Sequence, residues 1–187
     1  VSGPASFGIN DPSKIFGFDR RTGALVKTLT IQNQGQPVKA LSCIAADDDG
    51  QLYAAVVGMG IVKVNPENGQ QAVYAAPFYP VYQSAFNPPA PVLLNDLAFD
   101  KNGYLYVTDS FQATIWRVPP GGGTPQVWFQ SAALDGPFGP NGVRVNKTSD
   151  TLYVAKTFDA QGGGAIYTLP IKDFPQQSDL KVFASYT

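Results

Sequence analysis

The chain has 187 residues, a formal net charge of −1 and only 14% charged residues, while glycine, proline and aromatic residues are plentiful. This length is enough for one domain with a sizeable core, and the composition is typical of a turn-rich β protein rather than of a disordered chain. The balanced charge gives no support for a nucleic-acid partner, and the longest apolar run, near Ala54 to Val64, is too short to span a membrane.

Two residue types that carry much of enzyme chemistry are missing or nearly so. The sequence has no histidine, and Cys43 is its one cysteine. Histidine-based triads, histidine metal sites, internal disulfides and thiolate zinc sites are therefore excluded for this sequence. Any chemistry must use carboxylates, amides, hydroxyls, lysine or a hard metal ion.

In chain order, the first predicted elements are two strands, one beginning "IFGFDRRTG" at Ile15 and one at Leu25–Ile31. A longer unit follows from Leu41, "LSCIAADDDGQLYAAV", which alternates apolar and polar residues around a polar turn. The same unit recurs as "LNDLAFDKNGYLYVTD" from Leu94 and as "PNGVRVNKTSDTLYVAK" from Pro140. These repeats predict three related hairpins.

Each hairpin is followed by two more predicted strands. The third strands begin at Ile61, Ile115 and Ile166, and the fourth lie at Gln71–Ala75, Gln126–Phe129 and Lys181–Ala184. The repeat spacing, counted from Ile15 through these isoleucines, is 46, 54 and 51 residues. Four antiparallel strands per unit of this length indicate a β-propeller blade. A β-sandwich remains the alternative, although its strands need not resemble each other.

The predicted organisation is all-β, with an incomplete β-propeller as the single domain. It assigns residues 1–37 to the outer strands of a first blade, 38–76 to a second, 92–131 to a third and 132–187 to a fourth, with an aromatic and proline-rich insertion at 77–91. Closed propellers need at least about four full blades. A second copy or a missing segment is therefore expected to close the ring.

The motifs "LLNDLAFDKNGYLYVTDS" and "GPNGVRVNKTSDTLYVAKT" resemble the SMP-30/gluconolactonase family, which includes luciferin-regenerating enzymes, and more distantly strictosidine synthase and paraoxonase. The resemblance implies a six-bladed propeller with a divalent metal, usually Ca²⁺, in its central channel. It also implies that Asn95 and Asn141 give side-chain oxygens to that metal, which suits the preference of calcium for hard oxygen ligands. On their spacing alone, both asparagines can also be turn formers, and this alternative stays open.

The remaining channel residues are predicted from their repeat positions or from the resemblance. Ser42 stands where the later repeats have asparagine, and Leu93 stands where the lactonases have a substrate-binding arginine, which points to a substrate less polar than a sugar lactone. Asp96 either faces the channel or accepts hydrogen bonds from loop amides. The family's glutamate ligand and its aspartate, which is also the general base, are expected outside this chain, so no catalytic residue is assigned.

The insertion that leads into Asn95 is expected to form a wall or lid over the channel, with Phe78, Tyr82 and Phe86 facing the ligand. Packing of these rings as a plug between blades is the alternative. The start at Val1 rather than methionine, together with the glycosylation acceptor Asn146-Lys147-Thr148, predicts a secreted protein.

Two functions follow. The first is a calcium-dependent hydrolase of lactones or related esters, with a small-molecule substrate and with neither a nucleic-acid nor a membrane partner. The second is a non-catalytic propeller that binds a ligand with its channel face and its aromatic loop.

Overall fold

A computed structural model describes residues 11–35 and 39–186 of the chain. Regular structure within them is almost entirely β, with fourteen strands and two 3₁₀ helices of three residues each. No helix of these residues has the length and apolar character needed to cross a membrane. The chain divides into two compact units, Val1–Ala76 and Pro77–Thr187. The predicted boundary between the first two blades, at 37/38, lies outside the described residues.

The first unit contains two antiparallel sheets, of two and four strands. The first sheet consists of β1 (Lys14–Phe18) and β2 (Leu25–Thr30), and the second of β3 (Leu41–Ala46), β4 (Leu52–Val56), β5 (Gly60–Val64) and β6 (Gln71–Ala75). A buried cluster joins them, including Ile15 and Leu29 from the first sheet and Val62 and Val64 from the second. Their alternation along the strands puts every second side chain into this core.

The second unit contains two four-stranded antiparallel sheets. The third sheet consists of β7 (Leu94–Phe99), β8 (Leu105–Asp109), β9 (Thr114–Val118) and β10 (Gln126–Gln130), and the fourth of β11 (Phe138–Val145), β12 (Thr151–Phe158), β13 (Gly164–Pro170) and β14 (Lys181–Tyr186). The 3₁₀ helices are Ala132–Leu134 and Gln177–Asp179. In both sheets the strands follow each other in chain order, as the repeat predicts.

The core of the second unit lies between the third and fourth sheets. Tyr106 and Ile115 from the third sheet pack with Leu134, Leu152 and Leu169, and all five are almost fully buried. The innermost strand of the fourth sheet, β11, lies against β7 and β8 of the third. The starts of the two innermost strands are therefore neighbours, which matters for the site.

The repeated hairpin turns are held by the same kind of hydrogen bond, from backbone N–H groups of the turn to a side-chain oxygen at its start. In the β7–β8 turn, Oδ1 of Asp100 accepts hydrogen bonds from the backbone N–H groups of Asn102 and Tyr104. Asp47 in the β3–β4 turn and Asn146 in the β11–β12 turn accept equivalent pairs of bonds. A short polar side chain that caps its own turn explains why aspartate or asparagine recurs at these positions.

Candidate polar site at the starts of the inner strands

Each innermost strand of the three four-stranded sheets has a break in register at the same repeat position. The break falls between Leu94 and Leu97 in β7, between Pro140 and Val143 in β11, and between Leu41 and Cys43 in β3. In every case one extra residue stands on the inner strand relative to its partner. Such β-bulges re-aim side chains and are frequent beside functional sites. The bulge is the reason why polar residues can stand between apolar strand residues here.

Asn95 lies in the β7 bulge with its amide orientation determined by its neighbours. Its Nδ2 donates to Oγ of Ser110 over 2.9 Å, and that hydroxyl in turn donates to the carbonyl oxygen of Pro140 over 2.7 Å. Because the Ser110 hydroxyl uses its proton on a carbonyl, it must accept from the amide, which puts nitrogen and not oxygen on this side. Oδ1 of Asn95 therefore faces away from Ser110 and has no protein donor among the described residues.

Asn141 repeats this arrangement in the fourth sheet. Its Nδ2 donates to Oγ1 of Thr157 over 2.8 Å. Thr157 occupies the position on β12 that Ser110 occupies after β8, four residues beyond the aligned tyrosine of each repeat. Oδ1 of Asn141 is again without a donor from the residues that the structure describes. Two neighbouring inner strands thus each present a carboxamide whose nitrogen is held by a hydroxyl and whose oxygen has no donor among the described residues.

The second sheet lacks both partners of the pair. Ser42 stands at the asparagine position, is exposed, and has its hydroxyl 3.4 Å from the carbonyl oxygen of Ala55. Val57 stands at the hydroxyl position and is also exposed. Where the amide is absent, the hydroxyl that would hold it is absent too. In the three four-stranded sheets, the asparagine and the hydroxyl residue that holds it therefore occur together or not at all.

Asp96 connects the third and fourth sheets. Its Oδ2 accepts from the backbone N–H of Val143 over 2.9 Å and from the guanidinium of Arg144, while its own N–H donates to Oγ1 of Thr108. That Thr108 hydroxyl donates to the carbonyl oxygen of Asn141. Oδ2 is thus occupied by backbone and arginine donors from β11, while Oδ1 accepts from the backbone N–H of Leu97. Asp96 fixes the two bulges relative to each other, and its predicted place on the channel stays a prediction.

Asp109, at the end of β8, is fully buried beneath the start of β7. Its Oδ1 accepts from the backbone N–H of Leu93 over 2.9 Å, and its Oδ2 accepts from Nε1 of Trp116 over 3.3 Å. Burial raises the pKa of this carboxyl to about 6, against the opposing effect of these donors. Leu93 is half-buried, and its backbone is tied to β8 at both its N–H and its carbonyl.

The insertion is anchored to the third sheet by one buried amide. Gln112, fully buried in the β8–β9 turn, accepts from the N–H groups of Val81 and Tyr82 and donates to the carbonyl oxygens of Ala90 and Pro91. Both ends of the insertion are therefore held at the end of the sheet where Asn95 lies.

The predicted aromatic residues of the insertion have different environments. Phe78 packs edge-on against Trp116, with ring centroids 5.4 Å apart, and Tyr82 packs against the buried core. Phe86 is 41% exposed. The segment also forms a surface pocket of about 720 Å³, lined by residues from Pro80 to Ala90. The insertion thus combines packed rings with an exposed rim.

No known family model matches this sequence, and no curated protein matches it either. Comparison with solved structures finds a chain of the nidogen/laminin complex, with a TM-score of 0.64 and 17% identity over 97% of this chain and 60% of that one. The fold is that of a β-propeller. The sheets are its blades, and the predicted all-β, incomplete propeller is confirmed.

Two further solved structures with a similar fold carry enzyme names. A catalytically inactive virginiamycin B lyase from Staphylococcus aureus with quinupristin has a TM-score of 0.60 and 16% identity over 92% of this chain and 48% of that one. A putative 6-phosphogluconolactonase from Bacteroides fragilis has a TM-score of 0.55 and 15% identity over 97% and 53%. The chain thus spans about half to three fifths of these proteins. At these identities the likeness shows the fold alone.

The paired amides suit part of a hard cation site. Calcium takes six to eight oxygens, and neutral carboxamide oxygens without protein donors are of the kind it accepts. Among the described residues, no group of three or more aspartate, glutamate, histidine or cysteine side chains is placed to hold a metal. The donors present therefore fit a cation whose further ligands are water, substrate or other residues.

The sequence prediction missed the residues that hold these amides. The hydroxyl residues Ser110 and Thr157, which accept from these amides, are not among the predicted site residues. One signal was available: each asparagine is followed, 15 or 16 residues later, by a hydroxyl residue in or directly after the next strand. A second signal was the three-residue step from Leu94 to Leu97, which breaks the period of two and indicates a bulge.

Proposed function

We propose that Asn95 and Asn141 bind a divalent cation of the calcium type, and that the natural protein hydrolyses lactones or related esters at this site. The observation that carries the proposal is the repeated amide and hydroxyl pair in neighbouring bulges. Two carboxamide oxygens without donors, presented by adjacent blades, match the ligand chemistry of a hard cation. Lactonase-like enzymes among similar propellers support the reaction class.

The chain's own residues would orient the cation and exclude competing contacts. Ser110 and Thr157 hold the nitrogen side of each amide, which leaves the oxygen side for the cation or for a bound water. Asp96 and Thr108 fix the spacing of the two bulges. A cation bound there would polarise the carbonyl oxygen of an ester. The general base is assigned to none of the described residues.

The test uses the full-length natural protein with the single variants Asn95→Leu and Asn141→Leu. We expect each variant to weaken calcium binding, measured by calorimetry, by about tenfold or more and to reduce lactone hydrolysis in parallel. The matched control is Asn102→Leu, which removes an exposed amide from the β7–β8 turn at the opposite end of the same blade. Variants that keep their fold, calcium affinity and turnover would contradict the proposal.

The insertion supports a second function, that of a binding module without catalysis. Its surface pocket of about 720 Å³ and its exposed side chains, Tyr79, Val81 and Phe86, offer a contact area of their own. Ligand binding that persists with EDTA and in Asn95→Leu, but is lost when Tyr79 and Phe86 are replaced by alanine, would favour this function over the first.

A further inference from the structure

Phenylalanine follows the amide-holding hydroxyl in both blades of the second unit. The pairs are Ser110-Phe111 after β8 and Thr157-Phe158 at the end of β12. In the second blade, which lacks the amide, the equivalent residues are Val57 and Gly58. The aromatic residue therefore occurs together with the amide site and is absent with it.

Three phenylalanines form a rim at this end of the two blades. The ring centroids of Phe111 and Phe138 are 5.7 Å apart with planes at 83°, and Phe138 is the cross-strand partner of Phe158. Phe111 and Phe138 are half-buried, while Phe158 is 47% exposed. We use the name phenylalanine rim for these three residues.

The rim stands at the same end of the two blades as the amides. Phe111 directly follows Ser110, whose hydroxyl accepts a hydrogen bond from the side-chain amide of Asn95. Phe138 precedes Asn141 by three residues of the same strand, which corresponds to roughly 10 Å at the rise of a β-strand. A single ring fused or linked to a carbonyl-bearing group spans that distance.

The charged groups beside the rim are already engaged. Lys156, the cross-strand partner of Pro140, is 8% exposed and donates to the carbonyl oxygen of Ala133. Asp159, directly after Phe158, accepts from the backbone N–H groups of Gln161 and Gly163. Among the described residues, these two charged groups are thus held by the protein itself, and neither a cationic nor an anionic side chain is free beside Phe158 to bind a phosphate or sugar-acid group.

We infer that the substrate of this site carries a flat apolar group, aromatic in the simplest form, which packs on the phenylalanine rim while its carbonyl oxygen lies at the amides. The inference rests on the amide site of the proposed function and names its substrate class. Aromatic rings in edge-to-face or stacked contact contribute binding free energy beyond that of their buried area. The rim therefore favours a substrate with such a group over one without it.

The test compares two lactones, dihydrocoumarin, which carries a fused aromatic ring, and δ-valerolactone, which does not. In the full-length protein with calcium, we expect Phe158→Ala and Phe111→Leu to lower kcat/KM for dihydrocoumarin by about tenfold. The value for δ-valerolactone should change less than about twofold, because it does not reach the rim. Phe111→Leu keeps an apolar side chain beside Phe138, which protects the fold.

The control is Phe174→Ala, which removes an 82% exposed ring from the connection after β13, at the opposite end of the fourth blade. It should leave both lactones unaffected. Equal effects of the rim variants on the two lactones, or no effect, would overturn the inference while leaving the calcium-dependent reaction intact.

If the parent protein hydrolyses neither lactone, the proposed function fails and binding decides the inference separately. Calorimetry would then compare phenylacetate with acetate in the presence of calcium. Tighter binding of phenylacetate that is lost in Phe158→Ala supports the rim. Equal binding of the two acids, or a preference that the variant keeps, overturns it.

Discussion

At the scale of single residues, the site depends on which atoms of each asparagine carboxamide already have a hydrogen-bond partner. A carboxamide can turn either its oxygen or its nitrogen toward a neighbour. At Asn95 the nitrogen faces Ser110, because the Ser110 hydroxyl donates its proton to the carbonyl oxygen of Pro140 and accepts from the amide. A buried polar group without this support would cost free energy. The sequence places the asparagines at equivalent positions, but only the structure identifies the hydroxyls that orient them.

Asp109 allows a residue-scale prediction about pH. Burial raises the pKa of this carboxyl from its ordinary range to about 6, so the folded state binds its proton more tightly than the unfolded state. The contribution of Asp109 to the free energy of unfolding therefore falls as pH rises from about 4 to 6, by about 3 kcal/mol in total. Urea titrations of the parent and of Asp109→Asn across pH 4 to 8 would measure this difference.

Comparing the two proteins cancels the other acidic groups, several of which have lowered pKa values and act in the opposite direction. A companion variant, Trp116→Phe, removes one hydrogen-bond donor from the Asp109 carboxylate. It should extend the fall to higher pH, because the ionised carboxylate loses a partner and the folded-state pKa rises further, while the unfolded-state pKa stays the same. A difference between parent and Asp109→Asn that does not change with pH would refute the assignment.

At the scale of elements, period and repeat predicted the strands well. The third and fourth strands of each unit lie where the aligned isoleucines and alternating residues place them, because each blade repeats the same buried face. The bulges were not predicted, although the step from Leu94 to Leu97 breaks the period. Their geometry depends on pairing with a second strand, which a local pattern does not encode.

The insertion provides the element-scale prediction. Gln112→Ala would leave two backbone N–H groups and two carbonyl oxygens of the insertion without their buried partner. Because buried unpaired groups cost about 1–3 kcal/mol each when water cannot reach them, we expect faster hydrogen exchange and proteolytic cleavage between residues 78 and 91. The free energy of unfolding should fall by about 2 kcal/mol or more.

Gln161→Ala is the matched control, since it removes an exposed glutamine from a turn of the fourth blade. Its effect on stability should stay within about 0.5 kcal/mol. Unchanged exchange in the insertion of Gln112→Ala would mean that ring packing, including Phe78 on Trp116, holds the segment without the amide.

At the scale of the molecule, the internal repeats of the sequence were enough to predict the fold, but they did not predict which side chains meet at the candidate site. Three related hairpins with two further strands each predict propeller blades because stacked blades need the same buried faces. A site made from neighbouring blades depends on which side chains the bulges turn together, and on cross-blade bonds such as Asp96 to Val143. These contacts join residues 47 positions apart and leave no local sequence pattern.

The last blade of the chain gives a prediction about assembly. On the fourth sheet, Ile166 is 36% exposed and Phe183 is 63% exposed, and Phe183 stacks edge-on against Tyr153. Exposed apolar side chains grouped on one sheet face mark a contact surface. We therefore expect the 187-residue chain to associate reversibly as its concentration rises, measured by light scattering after size-exclusion chromatography. The double variant Ile166→Thr with Phe183→Thr keeps strand-forming residues and should shift the chain toward monomer, while Phe174→Ala should not. A parent chain that stays monomeric up to about 0.1 mM, well above the micromolar range of a specific contact, would show that this face needs no partner.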